Sequence, residues 1–332
     1  MGEEDRVKKV VHITDLSQLD TALGFFNLQS FVGNEVLFKL HMGEIGNKYY
    51  PKPSLVRPVV DHLKSMGMSP FFYDTTVAYP GLRHTKRGYE NVAKMHGYTK
   101  LGCNVIIDDT GVGVTVEGRT YEVGTTLHAS SHLVAFSHVK GHTATGMGGA
   151  IKNLGMGGVT KETKRWMHNG SKPIYNEKNC TYCGVCADVC PFDAITVNKK
   201  KWKVSKRKCF GCGVCVDNCK QQALTNKDKN LQYLLACSAK ACVHQKDVLY
   251  INDVNRISRS CDCDPIAGPL VCPDLGFLVA DDMVAIDKAS LDIIHTVKPD
   301  VFQKVNNVDP EKQIKYGEEI GLGSASYTLI EP

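Results

Sequence analysis

Short apolar runs alternate along the chain with longer stretches of helical period. Val10-Val11-His12-Ile13 and Glu35-Val-Leu-Phe-Lys-Leu40 read as buried strands, with a helix expected over 17–31 between them. After the breakers Pro51 and Pro53, the residues Leu55, Val59, Val60, Leu63 and Met66 recur at helical spacing, and Gly67 supplies a stop. Residues 70–74 predict a strand, 85–96 a helix and 104–109 another strand. Paired valines between glycines over 111–125 predict an antiparallel excursion, and Leu133-Val-Ala-Phe136 a further buried strand. Beyond the middle of the chain, 231–243 reads as a helix, 247–251 and 276–280 as strands, and 281–287 leads into a helix ending near 295. Strands alternating with helices call for an α/β fold: an open, mostly parallel sheet covered by helices. The stretch after 297 carries little signal.

This rhythm lapses between 172 and 228, where cysteines set the spacing. Cys180-Thr-Tyr-Cys183-Gly-Val-Cys186-Ala-Asp-Val-Cys190-Pro191 fits the bacterial iron–sulfur run C-x₂-C-x₂-C-x₃-C-P throughout. Cys209-Phe-Gly-Cys212-Gly-Val-Cys215-Val-Asp-Asn-Cys219-Lys220 repeats it, with Lys220 in place of the proline. In such runs the fourth cysteine ligates the other cluster. Cys180, Cys183, Cys186 and Cys219 are therefore expected to hold one 4Fe–4S cluster, and Cys190, Cys209, Cys212 and Cys215 a second. The plainer readings are zinc, which needs no crossed fourth ligand, and disulfides, which need an oxidising compartment. The expected organisation is an α+β, ferredoxin-like module over 172–228 inserted into an α/β body formed by 1–171 and 229–332.

Composition narrows the classes. At 332 residues the chain has room for about two domains, and its charge of +5 is too modest to argue for nucleic acid. The start, Met-Gly-Glu-Glu-Asp-Arg, shows no apolar leader, and no run approaches the ~18 apolar residues of a membrane span. A cytoplasmic protein is expected, living where reduced clusters survive. Between the two motifs stand Lys199, Lys200, Lys201, Lys203, Lys206, Arg207 and Lys208. They are either a solvated hairpin or a face that docks an acidic electron donor or acceptor. The lone Trp202 is not the aromatic interleaving of single-strand nucleic-acid binders.

A second unusual stretch, 137–158, joins a strand to a Gly-rich turn. His138, Lys140, His142, Gly146, Gly148, Gly149 and Lys152 crowd it. A strand, glycines and a helix start suit a ligand at a helix N-terminus, but no named phosphate motif fits, and glycines can equally serve close packing. Cys261, Cys263 and Cys272 lie on a Pro-rich loop without apolar periodicity. A third metal or iron–sulfur site, redox-active thiols and plain loop structure are all open there. Cys103, Cys237 and Cys242 are read as small core residues.

The chain resembles the DUF362 family, fused to a two-cluster ferredoxin module. The resemblance rests on Lys39-Leu-His-Met-Gly-Glu44, Asp74-Thr75 with Tyr79-Pro-Gly-Leu-Arg83, Gly141-His142 through Gly157, Cys261-Asp-Cys263, and Pro273-Asp-Leu-Gly276 through Asp287. Cys272 departs from the apolar residue that relatives tend to carry. The resemblance implies the α/β fold and the clusters but no substrate. The sequence thus predicts an iron–sulfur electron carrier between redox partners, as a homo-oligomer or part of a larger redox complex. The alternative is an iron–sulfur oxidoreductase whose body binds a substrate or cofactor near 138–158. No catalytic residue can be named from spacing.

Overall fold

The computed structural model describes residues 7–332. Strand β1 (Lys8–Ile13) is followed by a capped turn, in which Asp15 accepts from the Ser17 amide at 2.8 Å. The helix expected over 17–31 is broken. Only α1 (Leu19–Leu23) forms there, because Gly24 ends it and the Asn27 side chain takes the Gln29 amide at 3.1 Å in a new turn. Next come β2 (Glu35–Lys39), α2 (Pro53–Ser65), β3 (Ser69–Thr75), α3 (Lys86–Met95) and β4 (Val105–Asp108), where the apolar pattern puts them. The expected excursion is the hairpin of β5 (Gly111–Val116) and β6 (Arg119–Gly124). Helix α4 (Thr125–Ala129), β7 (His132–His138), and a small hairpin of β8 (Lys140–His142) and β9 (Gly146–Gly148) follow, then α5 (Ala150–Gly157) and α6 (Lys161–Gly170).

The cysteine-rich segment holds β10 (Pro173–Tyr175), α7 (Val185–Asp188), β11 (Ile195–Asn198), β12 (Lys201–Val204), α8 (Val214–Asp217) and β13 (Leu224–Asn226). Its strands pair β10 with β13 and β11 with β12, around a small core of Ile195, Cys215 and Leu224. The chain then returns to the body through α9 (Leu231–Cys242), β14 (Asp247–Asp253), β15 (Phe277–Ala280) and α10 (Met283–Val297). It finishes with α11 (Val301–Asn306), α12 (Glu311–Glu319) and β16 (Tyr327–Ile330). No helix among the described residues is long and apolar enough to cross a membrane.

The main sheet has the order β16-β1-β15-β14-β7-β2-β3-β4. All its pairings are parallel except the two made by β15. Successive side chains of a strand face opposite layers. Leu37 therefore joins the layer under α5, α9 and α10, and Phe38 the layer under α2 and α3. From β2 the chain moves outward to β3 and β4, then returns to β7 on the other side of β2. At such a switch point an open parallel sheet leaves a crevice outside the carboxyl ends of its strands, where ligands bind.

Candidate functional site

A cavity of about 620 Å³ occupies that crevice. Lys39 and His41 enter from the end of β2, Asp74 and Thr75 from β3, and Lys140 and His142 from β8. Lys152 and Asn153 come from α5, while Lys164, Arg165 and His168 come from α6, with Lys172 just beyond. Cys209 and Phe210 of the cysteine-rich segment close one side, and Cys263 lines another.

Several of these charges are already paired. The Lys39 ammonium lies 3.1 Å from Asp74 and donates to Asn153 Oδ1 at 2.8 Å. Arg83, fully buried, donates to Glu44 at 2.9 Å, to His41 Nε2 at 2.6 Å and to the Tyr79 hydroxyl. Lys140 pairs with Asp262 at 2.9 Å. Lys164 donates to Thr75 Oγ1 at 2.6 Å and to the Thr76 carbonyl, but meets no carboxylate. Lys152 makes no hydrogen bond or ion pair among the described residues. Burial pushes both Lys152 and Lys164 down to about 7, and holds His142 and His41 well below the usual imidazole range. The cavity is basic, with Asp74 its one acidic lining residue.

The eight cysteines of the repeated motif line two smaller cavities. Cys190, Cys209, Cys212 and Cys215 surround one, and Cys180, Cys183, Cys186 and Cys219 the other, so each run lends its fourth cysteine to its neighbour. A tetrahedral ion with metal–sulfur bonds of ~2.3 Å draws its sulfurs to within about 4 Å of one another. Among the described residues no three of these cysteines gather even within 4.8 Å, a spacing wider than one tetrahedral ion holds. Among the described residues, Trp202 Nε1 and the Tyr175 hydroxyl are buried without a hydrogen-bond partner. Both belong to the Cys180 cavity, where sulfides would accept from them. Amides of Tyr182 and Ala194 already point at the Cys180 and Cys190 sulfurs, at 3.4 and 3.3 Å. These residues fit 4Fe–4S groups.

Body and module meet closely at α6. Gly211 sits at φ +74, and a Cβ there would come within 1.8 Å of the His168 carbonyl. His168 packs on Phe210 with ring centroids 4.2 Å apart, and its Nδ1 lies 3.3 Å from the Gly211 carbonyl. Burial holds His168 near 4, as a neutral ring. Cys209 and Phe210 line both the second cysteine cavity and the large one.

The Gly-rich stretch divides. Gly148, Gly149, Lys140, His142 and Lys152 line the large cavity. His138 and Gly146 do not. The His138 ring is tied to Asp262 at 3.0 Å and to the Asn255 carbonyl at 2.9 Å, and Gly146 turns against residues 308–310. The N-terminus of α5, where a ligand was expected, is already taken: Asp287 accepts from the Ala150 and Ile151 amides at 2.7 and 2.9 Å. A ligand must therefore meet side chains there, not the helix end. Of the three candidate cysteines, two come together. Cys272 is buried in the apolar core, and His142 stands beside Cys261 and Cys263 instead. Cys237 and Cys242 are core residues, Cys242 donating to the Leu154 carbonyl at 3.5 Å, and Cys103 is half-buried at the edge of the other layer.

Sequence reading missed α6 and with it Lys164, His168 and Lys172. It also missed Asn153 and Asp262, and gave no role to Lys39, Asp74, Tyr79 or Arg83. The usable signal lay in the family motifs at 39–44, 74–83, 141–157 and 261–263, which converge on this cavity.

No curated protein matches the chain in sequence. Among solved structures, the lactate racemase apoprotein from Thermoanaerobacterium thermosaccharolyticum is 14% identical with a TM-score of 0.39, over 76% of this chain and 52% of that one. A crystal structure of a Thermotoga maritima protein is 8% identical with a TM-score of 0.40, over 92% and 57% respectively. The chain spans little more than half the length of either, and likenesses this distant say nothing of chemistry. Kinship is clearer: over residues 36–292 the sequence matches the family described as "Domain of unknown function (DUF362)", and the chain belongs to it.

Proposed function

We propose that the chain is an iron–sulfur reductase that delivers electrons to an anionic substrate in the cavity between β2 and β7. The observation that carries this reading is the sharing of Cys209 and Phe210 between the second cysteine cavity and the large one. Two 4Fe–4S clusters, when bound by the crossed quartets, supply one-electron transfer. The chain's own residues do the rest. Lys152, Lys164 and Lys172 face the cavity without carboxylate partners and would hold a negatively charged substrate. Phe210 packs on His168 between cavity and module. Trp202 and Val197 of the β11–β12 hairpin line the first cysteine cavity, so an acidic donor docked on the hairpin's basic side chains would stand near that end.

That hairpin also favours a second reading, a carrier that serves protein partners alone. All seven basic side chains of the hairpin and the segment just after it, Lys199 to Lys208, are exposed, and none is in an ion pair among the described residues.

Iron and acid-labile sulfide on anaerobically purified protein, with EPR after dithionite, test the cluster half. About eight of each per chain are expected, and about four irons fewer in Cys183→Ala or Cys212→Ala. A chain without reducible iron ends the proposal. The cavity half is tested by thermal shift with sulfate, phosphate and citrate. A shift that persists unchanged in Lys152→Ala/Lys164→Ala places the anion elsewhere and leaves only the carrier.

A further inference from the structure

One wall of the cavity has no role in the reductase reading so far. Cys263 and His142 line it, with Cys261 buried just behind. The ligand atoms of these three residues lie within 4.8 Å of one another, the one such group among the described residues. Its two sulfurs are bonded to each other in a disulfide, so the group marks where the three side chains meet, and only the reduced pair can spread to the ~2.3 Å metal–sulfur bonds of a single ion.

The loop that carries the two cysteines is held from several sides. Asp262, between them, is buried against His138 at 3.0 Å and Lys140 at 2.9 Å. Its carbonyl accepts from the Glu44 amide at 3.0 Å, and the Asp264 amide donates to the Cys261 carbonyl at 2.9 Å. On the histidine side, the Gly141 amide donates to the Ser258 carbonyl at 2.8 Å. Any Cβ at Gly141 would come within 2.1 Å of the Arg259 carbonyl, so only glycine lets His142 approach this loop. Thr145 donates its hydroxyl proton to the Met147 carbonyl at 2.8 Å, so its Oγ1 accepts from His142 Nδ1 at 3.0 Å in the tautomer that frees Nε2 for an ion, and the Ala144 amide gives up its 3.2 Å approach to Nδ1 in that state. The Cys263 amide points at the Cys261 sulfur at 3.4 Å, as amides do toward ligating thiolates.

We infer that Cys261, Cys263 and His142 form a three-ligand site for a soft-to-borderline divalent ion, open toward the cavity, where the ion binds an oxygen of the anionic substrate. Two thiolates and one imidazole select zinc, iron(II), cobalt or nickel over magnesium or calcium. Three protein ligands with a free fourth position are the arrangement of catalytic sites, whereas structural sites close the fourth. Cys261 and Cys263 are joined as a disulfide in the structure, with Cα atoms 5.3 Å apart. The ion takes the reduced pair. Two electrons and two protons turn the disulfide into two thiols, the electrons coming one at a time from a low-potential carrier such as the module's clusters. Binding then releases both thiol protons to solvent, and two thiolates balance the charge of the ion. The site stands on its own geometry, while its role toward an anion rests on the reductase reading.

The test uses the full chain with its clusters loaded, reduced anaerobically with dithionite and dialysed against zinc. Zinc stands above iron(II) in the affinity order of such sites, so a site that refuses zinc refuses iron as well. About one zinc per chain is expected beyond the iron, with a zinc-edge absorption spectrum showing two sulfur ligands and one nitrogen. Cys263→Ser and His142→Ala should each weaken zinc binding more than about tenfold, and Cys272→Ser should leave it unchanged. EPR of the clusters confirms that each variant is folded. No bound zinc, zinc indifferent to these variants, or a pair that stays oxidised in dithionite would overturn the site. Extra iron lost in Cys261→Ser would replace the single ion by a third cluster, which overturns it too. The two proposals fail separately: iron without zinc removes only the ion site, and zinc without iron removes only the electron route.

Discussion

Lys152 ends in the cavity with no partner among the described residues, and burial favours its neutral form. Burial lowers its pKa from 10.5 to about 7, helped by the charges of Lys140, Lys39 and Arg83 and opposed by Asp262. Lys164 sits near the same value, with Asp74 opposing the shift and Lys39 and Arg83 adding to it. An anion needs the charged forms, so sulfate or phosphate affinity measured by calorimetry should fall as pH rises through 7. Affinity that is flat between pH 6 and 8 would assign the anion to other groups. Stability moves the opposite way. Unfolded lysines hold their protons up to about 10.5, so the unfolded chain binds more protons between 7 and 10.5, and the ligand-free protein gains stability across that window. Asp74 plays the converse part. Asp74→Asn leaves Lys39 buried without its counter-charge and should cost about 3–5 kcal/mol in a denaturant titration; a loss below 1 kcal/mol would mean that Lys39 discharges instead.

At the scale of the element, the β11–β12 hairpin is unusual for its turn. Lys199 and Lys200 both have positive φ, 39° and 63°, where a two-residue turn ordinarily carries Asn-Gly. A left-handed conformation costs roughly 1–2 kcal/mol per such residue. Lys199→Asn/Lys200→Gly should therefore raise stability while slowing reduction by an acidic donor protein. Lys201→Glu/Lys203→Glu should slow it further, and the wild-type rate should fall with added salt as the variant's does not. Equal rates at low salt would show that the hairpin is only solvated.

Elements also explain what the sequence could and could not tell. Strands β2, β3, β7 and β14 were legible because both faces are buried, which leaves continuous apolar runs. Helix α6 was not, since its buried face is Thr163, Lys164, Met167 and Gly170, and only Met167 is a large apolar residue. The helix expected over 17–31 failed on local chemistry, where an Asn side chain offered the backbone another partner. For the site, the cysteine runs carried their grouping in their spacing. The lysines of the cavity come from segments spread between 39 and 172, and only the sheet's crossover brings them together. Likewise His142 and Cys263 are 121 positions apart, so no local pattern could link them.

At the scale of the whole molecule, the proposed electron route is a series: Trp202 of the basic hairpin lines the first cysteine cavity, and the second shares Cys209 and Phe210 with the basic cavity. Gly211 is where this arrangement is most exposed to change. Gly211→Ala meets both a left-handed backbone and the His168 carbonyl, and should cost on the order of 1–3 kcal/mol. If the series is the working route, the variant should keep its iron and its reduction by dithionite, while transfer from its reduced clusters to a cavity-bound acceptor slows.

The pairing of β10 with β13 sets Pro173 opposite Asn226. The polypeptide thus leaves the main sheet's layers and re-enters them at neighbouring points, and we propose that what lies between is a detachable graft. Loop-closure entropy grows so slowly that doubling a connection adds only about 0.6 kcal/mol. Joining β7 to β14 is therefore little harder with the graft than without it. Replacing 174–225 by a short glycine linker should leave a chain that still melts cooperatively, blind to iron and open at one side of its cavity. If that shortened chain cannot fold, the clusters support the architecture as well as the chemistry.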